Sequence, residues 1–499
     1  MMLLEMASAG FADRVAVTDG DRSMTYEQLF ESAGAAARRI QESGAKHLAL
    51  LDTSSPAVPV ALFASAWAGV PFVPLNYRLT GDELERLTSQ ISPALLVTDA
   101  ERAGQLGALD GIDVIEREAF LAESASGESL ASSSWPMDPD DIAILLFTSG
   151  TTGPPKAAVI RHKHLSSYVL TTVEFGLAAE EDAQLVCVPP YHIAGMATLC
   201  SSIYSGRRIV QLANFEASEW LRLAHSEQVT NAFVVPTMLA RIVDELGAGG
   251  VAQLPSLRAV AYGGGKMPLP VIEMAMEAVP NADFTQAYGL TETSSTIAVL
   301  GPDEHRAARA SDDPDARKRL VSVGRPIPSV TLEIRDAEGN VLGPNESGEI
   351  YVSGEQVSGE YLGKGSLLGA DGFFATRDGG YLDEEGFLFL AGRQDDIIVR
   401  GGENMSPGEI EDVLLEHDAV RDVAVVGVPD EQWGEAVAAA IVLHDGKRAE
   451  VAELQAFVSE RLRSSRSPSQ VVFRDELPYN ETGKLLRRVV RADLAGADS

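Results

Sequence analysis

Cysteine is nearly absent: Cys187 and Cys200 are the two in 499 residues, which excludes a disulfide framework and leaves a Cys-rich zinc site without ligands. Basic residues are scarce as well, with 40 Lys and Arg against 73 Asp and Glu for a formal net charge of −33. That average field repels phosphate backbones and anionic lipid, so neither nucleic acid nor a membrane surface is an expected partner. A small anionic substrate still fits wherever positive charge is concentrated. No uninterrupted apolar run reaches the length of a membrane span. Residues 1–10 carry Glu5 and lack the basic flank of a secretory signal. A reducing cytoplasm is the expected compartment.

What is present is a globular composition, 45% hydrophobic with 45 Gly and 25 Pro, at a length that favours more than one domain. From residue 46 apolar runs alternate with helix-like stretches: 47–51, 57–68, 71–75, a helix opened by Thr80 and Glu83 as a capping box, then 94–97. The rhythm returns over 229–287 and predicts βαβ units around a largely parallel sheet. Residues 104–139, rich in Ser, Ala and Gly, read as a peripheral excursion. After Gly324 short alternating segments separated by turn residues predict a small antiparallel sheet or barrel. Beyond Asp395 about a hundred residues read as α+β, with a helix starting at Ser406-Pro407-Gly408-Glu409 and Ser406 as its N-cap. The predicted fold class is therefore α/β: a large N-terminal domain, 1–394, of α/β subdomains plus a β-barrel-like part, and a small mobile α+β domain, 395–499.

The sharpest motif follows the apolar run 142–147: Thr148-Ser149-Gly150-Thr151-Thr152-Gly153-Pro154-Pro155-Lys156. Two glycines, four hydroxyls and a lysine can wrap N–H and O–H donors around phosphate oxygens. The spacing is not that of a Walker A loop, and an ordinary turn is the alternative. Tyr262-Gly263-Gly264-Gly265-Lys266 and Gln286-Ala287-Tyr288-Gly289-Leu290-Thr291-Glu292-Thr293 stand at two further predicted strand ends. Ligands of open α/β sheets bind at the carboxyl ends of strands, so three such loops can converge on one crevice.

Together these motifs, from Met24-Thr25-Tyr26 to Gly483-Lys484, resemble the adenylate-forming superfamily of acyl-CoA synthetases, peptide-synthetase adenylation domains and luciferases. The resemblance implies ATP and Mg²⁺ as cofactors and CoA as the acceptor. It assigns Thr148, Ser149, Gly150, Thr151, Thr152, Gly153 and Lys156 to the ATP phosphates, and Gly263, Gly264 and Gly265 to the backbone beside adenine and the acyl carboxylate. Tyr288 would stack on adenine, Thr291 would contact phosphate, and Glu292 would hold Mg²⁺. Asp378 and Arg393 would face the ribose. Asp395 would be the hinge of the small domain, Gly401 and Gly402 would lie along the pantetheine path, and Lys484 would be the catalytic lysine of the first half-reaction. His192, in the acyl-pocket loop Pro189–Met196, would gate or position. Gln432-Trp433-Gly434-Glu435 resembles a segment common in CoA ligases.

Three departures stand out: Ala157 and Arg377 where relatives carry glycine, and Ser467 where many carry a lysine near the CoA phosphates. The expected activity is conversion of a carboxylic acid, fatty or otherwise apolar, to acyl-AMP and then acyl-CoA. The alternatives are an acyl-AMP ligase that loads a carrier protein, a non-catalytic nucleotide-binding homologue, and a kinase-like enzyme releasing ADP. A homo-oligomer is compatible with all of them.

Overall fold

A computed structural model of the chain describes residues 1–79, 81–107, 109–130, 135–148, 156–247, 249–393, 396–401, 403–430, 432–480, 483 and 485–496. Two large sheets form the frame. In the nine-stranded sheet, Asp283–Leu290, Ala259–Gly263, Asn231–Val234, Ala183–Val186, Arg208–Gln211 and Val15–Asp19 run side by side in parallel. The eight-stranded sheet holds Ile142–Thr148, Phe72–Pro74, His47–Leu51, Ala94–Thr98 and Ile112–Glu116 in parallel order, with Lys156–Arg161 returning antiparallel beside Ile142–Thr148.

One core joins the sheets. Val17 and Ile209 of the first, Leu48, Leu50, Ile144 and Leu146 of the second, and Phe63, Trp67, Met196 and Ile203 of helices belong to a single buried cluster. The helix Ala57–Ala68 is apolar on every side and buried along almost its whole length, as a helix held between two sheets must be. Polar helices cover the outside; Gly81–Ile91 buries Leu84, Leu87, Thr88 and Ile91 on one stripe. That helix begins as expected, although Thr80, its expected cap, lies outside the described residues.

The segment 104–139 is not the excursion expected. It supplies the strand Ile112–Glu116 to the sheet edge and the helix Arg117–Ser126. Half-exposed alternation at an edge strand hides it among small and polar residues.

After Gly324 four antiparallel strands, Val330–Arg335, Gly348–Gly354, Phe374–Leu382 and Leu388–Arg393, make a third sheet. A fourth draws its strands from beyond residue 396: Glu403–Met405, Ile398–Arg400, Gly434–Leu443 and Val420–Asp430, with Gln470–Phe473 beside Gly434–Leu443. Its helix is Pro407–Leu415, as the proline at the first helical position predicts. Ser406 does not cap it through its side chain. Its hydroxyl instead donates to the Ala391 carbonyl, 15 residues earlier.

No helix among the described residues is long and apolar enough to cross a membrane. Cys187 and Cys200 are buried free thiols, and burial pushes both up to about 12.

Candidate active site

Three strand ends build the site. Ala259–Gly263 and Asp283–Leu290 run parallel with Gly263 opposite Ala287, so the glycine loop and the 290s turn leave the sheet side by side. The three glycines have separate reasons. A Cβ on Gly263 would stand 2.2 Å from the Ala287 carbonyl oxygen, and Gly264 sits at φ +83°. Strand packing and backbone conformation thus account for those two. Gly265 meets nothing closer than 3.7 Å, so neither packing nor conformation accounts for it.

Tyr288 comes next on the strand. Its hydroxyl donates to Asp378 Oδ2 at 2.7 Å, and Arg393 Nε lies 3.2 Å from Asp378 Oδ1. Asp378 and Arg393 are directly paired across two antiparallel strands, which explains their meeting. Asp378 thus belongs to a strand. Burial and the adjacent Asp378 carboxylate drive the Tyr288 hydroxyl far above its ordinary range. The Thr376 hydroxyl accepts the Asp378 N–H and donates to the Ile350 carbonyl, fixing the strand below. Between them Arg377 is held at φ +62° with its N–H on Glu349 Oε1 at 3.1 Å.

Thr291 and Glu292 open a one-turn 3₁₀ helix after the strand. The Glu292 carboxylate accepts from the Tyr361 hydroxyl. Thr148 is opposite Lys156 in the adjoining sheet, its hydroxyl 3.3 Å from the Lys156 carbonyl, so the phosphate-loop candidate is closed at its base. Ser149, Gly150, Thr151, Thr152 and Gly153 lie outside the described residues. Lys156 Nζ is 6.0 Å from the centre of the Tyr361 ring.

His192 precedes the helix Ile193–Ser205 and packs on Tyr191, ring centres 4.5 Å apart. The residue is half-buried, but Nε2 is enclosed and has no hydrogen-bond partner in the protein. Burial lowers the imidazole to about 4, so the ring is neutral near pH 7.

From the small domain, Gly483 reaches the large one. A Cβ on Gly483, at φ +67°, would lie 1.8 Å from Thr237 Oγ1, and Thr237 lies in the first turn of the helix Pro236–Leu246, after the neighbouring strand end. Lys484, Asp395 and Gly402 lie outside the described residues. Lys266 makes a second bridge, with Nζ 3.0 Å from the Gly408 carbonyl and 2.6 Å from Asp412 Oδ1. Beyond Lys484, Arg487 pairs with Glu411 and Arg491 with Glu435. Gly401 lies against the Trp433 ring. That tryptophan is 45% exposed, so it is not the ordinary core residue that a small domain would need.

Among the described residues no three His, Cys, Asp or Glu side chains gather as a metal cage. A lone carboxylate, Glu292, beside a phosphate-loop candidate fits Mg²⁺, which takes most of its oxygens from phosphate and water. Sequence reasoning missed Tyr361, Thr237 and Lys266. Tyr361 sits on a two-residue strand without periodicity, and the other two matter through contacts distant in sequence.

Comparison with known proteins places the chain in a family. The family described as AMP-binding enzyme matches residues 4–362, and the AMP-binding enzyme C-terminal domain matches 409–484. A 2-succinylbenzoate–CoA ligase of Geobacillus kaustophilus is 35% identical over 96% of this chain and 95% of its own. A fatty acid–[acyl-carrier-protein] ligase, ScoC of Streptomyces coeruleorubidus, is 32% identical over 94% and 91%. The solved o-succinylbenzoate CoA synthetase of Bacillus subtilis in complex with its acyl-adenylate intermediate superposes with a TM-score of 0.84 at 30% identity, covering 98% of this chain and 97% of that one. The same synthetase is also known in complex with ATP and magnesium ion, with a TM-score of 0.82 at 30% identity over 97% and 98%.

Proposed function

This chain belongs to the AMP-binding enzyme family and is an adenylate-forming acid–CoA ligase, and from that premise we propose that its acid is 2-succinylbenzoate or a close aromatic keto acid. The observation that carries the choice is the similarity over 96% of the chain to a ligase of that acid. An aromatic acid with a second carboxylate replaces the fatty or apolar acid expected from the loop around His192. Neutral His192, with Nε2 enclosed and unpartnered, supplies that loop with one polar group for a substrate carbonyl or carboxylate.

In the first half-reaction a carboxylate oxygen attacks the α-phosphorus of ATP, the bond to the bridging oxygen breaks, and pyrophosphate leaves. Two anions must meet, so the site's work is charge cancellation and alignment. Thr148 and Lys156, with the loop between them, hold the phosphates. Asp378 and Arg393 receive the ribose, with Tyr288 behind Asp378 and its ring towards adenine. Glu292, with Thr291 beside it, would hold Mg²⁺, which supplies charge neutralisation on the phosphates. Lys484, the catalytic lysine of this step, follows Gly483, which packs at Thr237. In the second half-reaction the thiol of CoA attacks the acyl carbonyl and AMP leaves. Rotation about Asp395 withdraws Lys484 and brings Gly401 and Gly402 to the pantetheine path.

The test is incubation with ATP, Mg²⁺, CoA and a panel of 2-succinylbenzoate, benzoate and short, medium and long fatty acids, with products read by mass spectrometry. 2-Succinylbenzoyl-CoA with AMP and pyrophosphate is expected. Preferential fatty acyl-AMP without thioester would favour a carrier-protein acceptor, the reading that Ser467 and the relative from Streptomyces support. ADP as product would overturn adenylation itself.

A further inference from the structure

The segment 358–362 grips two parts of the site at once. The N–H groups of Ser358 and Gly359 and the Ser358 hydroxyl all donate to the Glu292 carbonyl, at 2.9, 3.0 and 3.1 Å. On its other side Tyr361 pairs with Ala158, and the Leu362 N–H donates to the Ala157 carbonyl, on the strand that Lys156 begins. Arg161 locks the same pairing with a two-pronged bond to Glu360, at 2.7 and 2.8 Å. The Tyr361 hydroxyl lies in the middle, donating to Glu292 Oε1.

We propose that Tyr361 is a positioning residue that fixes the Glu292 carboxylate at the mouth of the phosphate loop, so that Mg²⁺–ATP meets an oriented carboxylate; the proposal rests on the assignment of Glu292 to Mg²⁺. A glutamate loses considerable rotamer freedom on being held. A phenol bound to Oε1 removes that freedom beforehand and leaves Oε2 to face the ligand. Outer partners of this kind are worth roughly 10–100-fold in metal affinity. The backbone pairing of Tyr361 and Leu362 with Ala158 and Ala157 also ties the strand after the loop to the Glu292 side.

The experiment is calorimetric titration of ATP into the full chain without acid substrate, in saturating Mg²⁺ and in EDTA, for wild type, Tyr361→Phe and Glu292→Gln. Tyr361→Phe is expected to weaken binding roughly tenfold with Mg²⁺ and to leave binding in EDTA unchanged. Equal loss in both media, or wild-type behaviour in both, would overturn the proposal. Glu292→Gln separates the two levels: if it keeps wild-type Mg²⁺ dependence, the assignment of Glu292 fails, and if it alone loses that dependence, only the role of Tyr361 fails. Hydrogen exchange on wild type covers the case of a misfolded variant. Amides 358–362 should gain protection with Mg²⁺–ATP beyond that with ATP alone, and equal protection would reject the proposal.

Discussion

The Tyr288 hydroxyl donates to Asp378 at 2.7 Å, joining the strand that leads into the Glu292 turn to the strand that carries the ribose-binding candidate. Arg393 holds the other oxygen of the same carboxylate, so both oxygens of Asp378 are oriented before a nucleotide arrives. Tyr288→Phe removes a hydrogen bond to a charged group, about 1.5–3 kcal/mol, and the expected outcome is roughly ten- to hundredfold weaker ATP binding. Asp378→Ala should weaken it further. Titration calorimetry with ATP checks both, and a Tyr288→Phe variant with wild-type affinity would mean that the pair orients nothing the nucleotide uses.

Acid should destabilise the protein through its enclosed imidazoles. His164 and His192 are both lowered to about 4, each mainly by burial, whereas an unfolded histidine titrates near 6.5. Their contribution to stability is whole above about 6.5 and is lost as the pH falls towards 4, because the unfolded chain binds protons that the folded one refuses. The slope is at most about 1.4 kcal/mol per pH unit for each group. Thermal unfolding of wild type and His192→Gln at pH 7.5 and 5 tests this. The variant should show the smaller drop in Tm, and identical drops would assign the acid sensitivity elsewhere.

Arg377 occupies a left-handed conformation, φ +62°, that glycine takes at no steric cost. Strain of this kind costs about 1–3 kcal/mol, partly offset in a glycine variant by a more flexible unfolded chain. Since the bond to Glu349 uses the backbone N–H, Arg377→Gly keeps it. A rise in Tm of about 1–2 °C is expected, with Arg377→Ala gaining nothing. A fall in the glycine variant would show that the guanidinium contributes more than its backbone costs.

Legibility in the sequence followed burial. The parallel strands near 47–51 and 94–98 are apolar throughout because helices cover both faces, and they were readable as strands at once. The edge strand Ile112–Glu116 is half-exposed and was not. Asp378, Arg393 and Glu292 are candidates that motif resemblance supplies, yet the partners that orient them have no such signal. Tyr288 reaches Asp378 across 90 residues, and Tyr361 reaches Glu292 across 69. Each such contact is set by sheet register, which no local pattern encodes. Ser406 shows the converse: its local sequence reads as a cap, and a tertiary partner, Ala391, takes the hydroxyl.

The docking of the Lys484 loop is open to a steric test. Gly483 is in the left-handed region, and a Cβ there would lie 1.8 Å from Thr237 Oγ1 and 2.9 Å from Thr237 Cβ, closer than any stable contact. Gly483→Ala should therefore keep the loop off the large domain and slow adenylation at least roughly tenfold, since catalysis by a positioned group falls steeply with small displacements. Under the proposed rotation about Asp395, thioester formation from supplied acyl-AMP does not use this docking and should stay near wild type. Adding Thr237→Ala removes the Oγ1 clash but neither the Cβ contact nor the backbone strain, so the double variant should recover part of the adenylation rate. Lys484→Ala should reproduce the first-half loss with ATP binding intact, by roughly 10²–10³-fold if the lysine stabilises transition-state charge. Pyrophosphate exchange and acyl-CoA formation, measured separately, decide the matter. Equal loss of both half-reactions in Gly483→Ala would point to a folding defect, and an unchanged first half-reaction would mean that adenylation proceeds without the loop at Thr237.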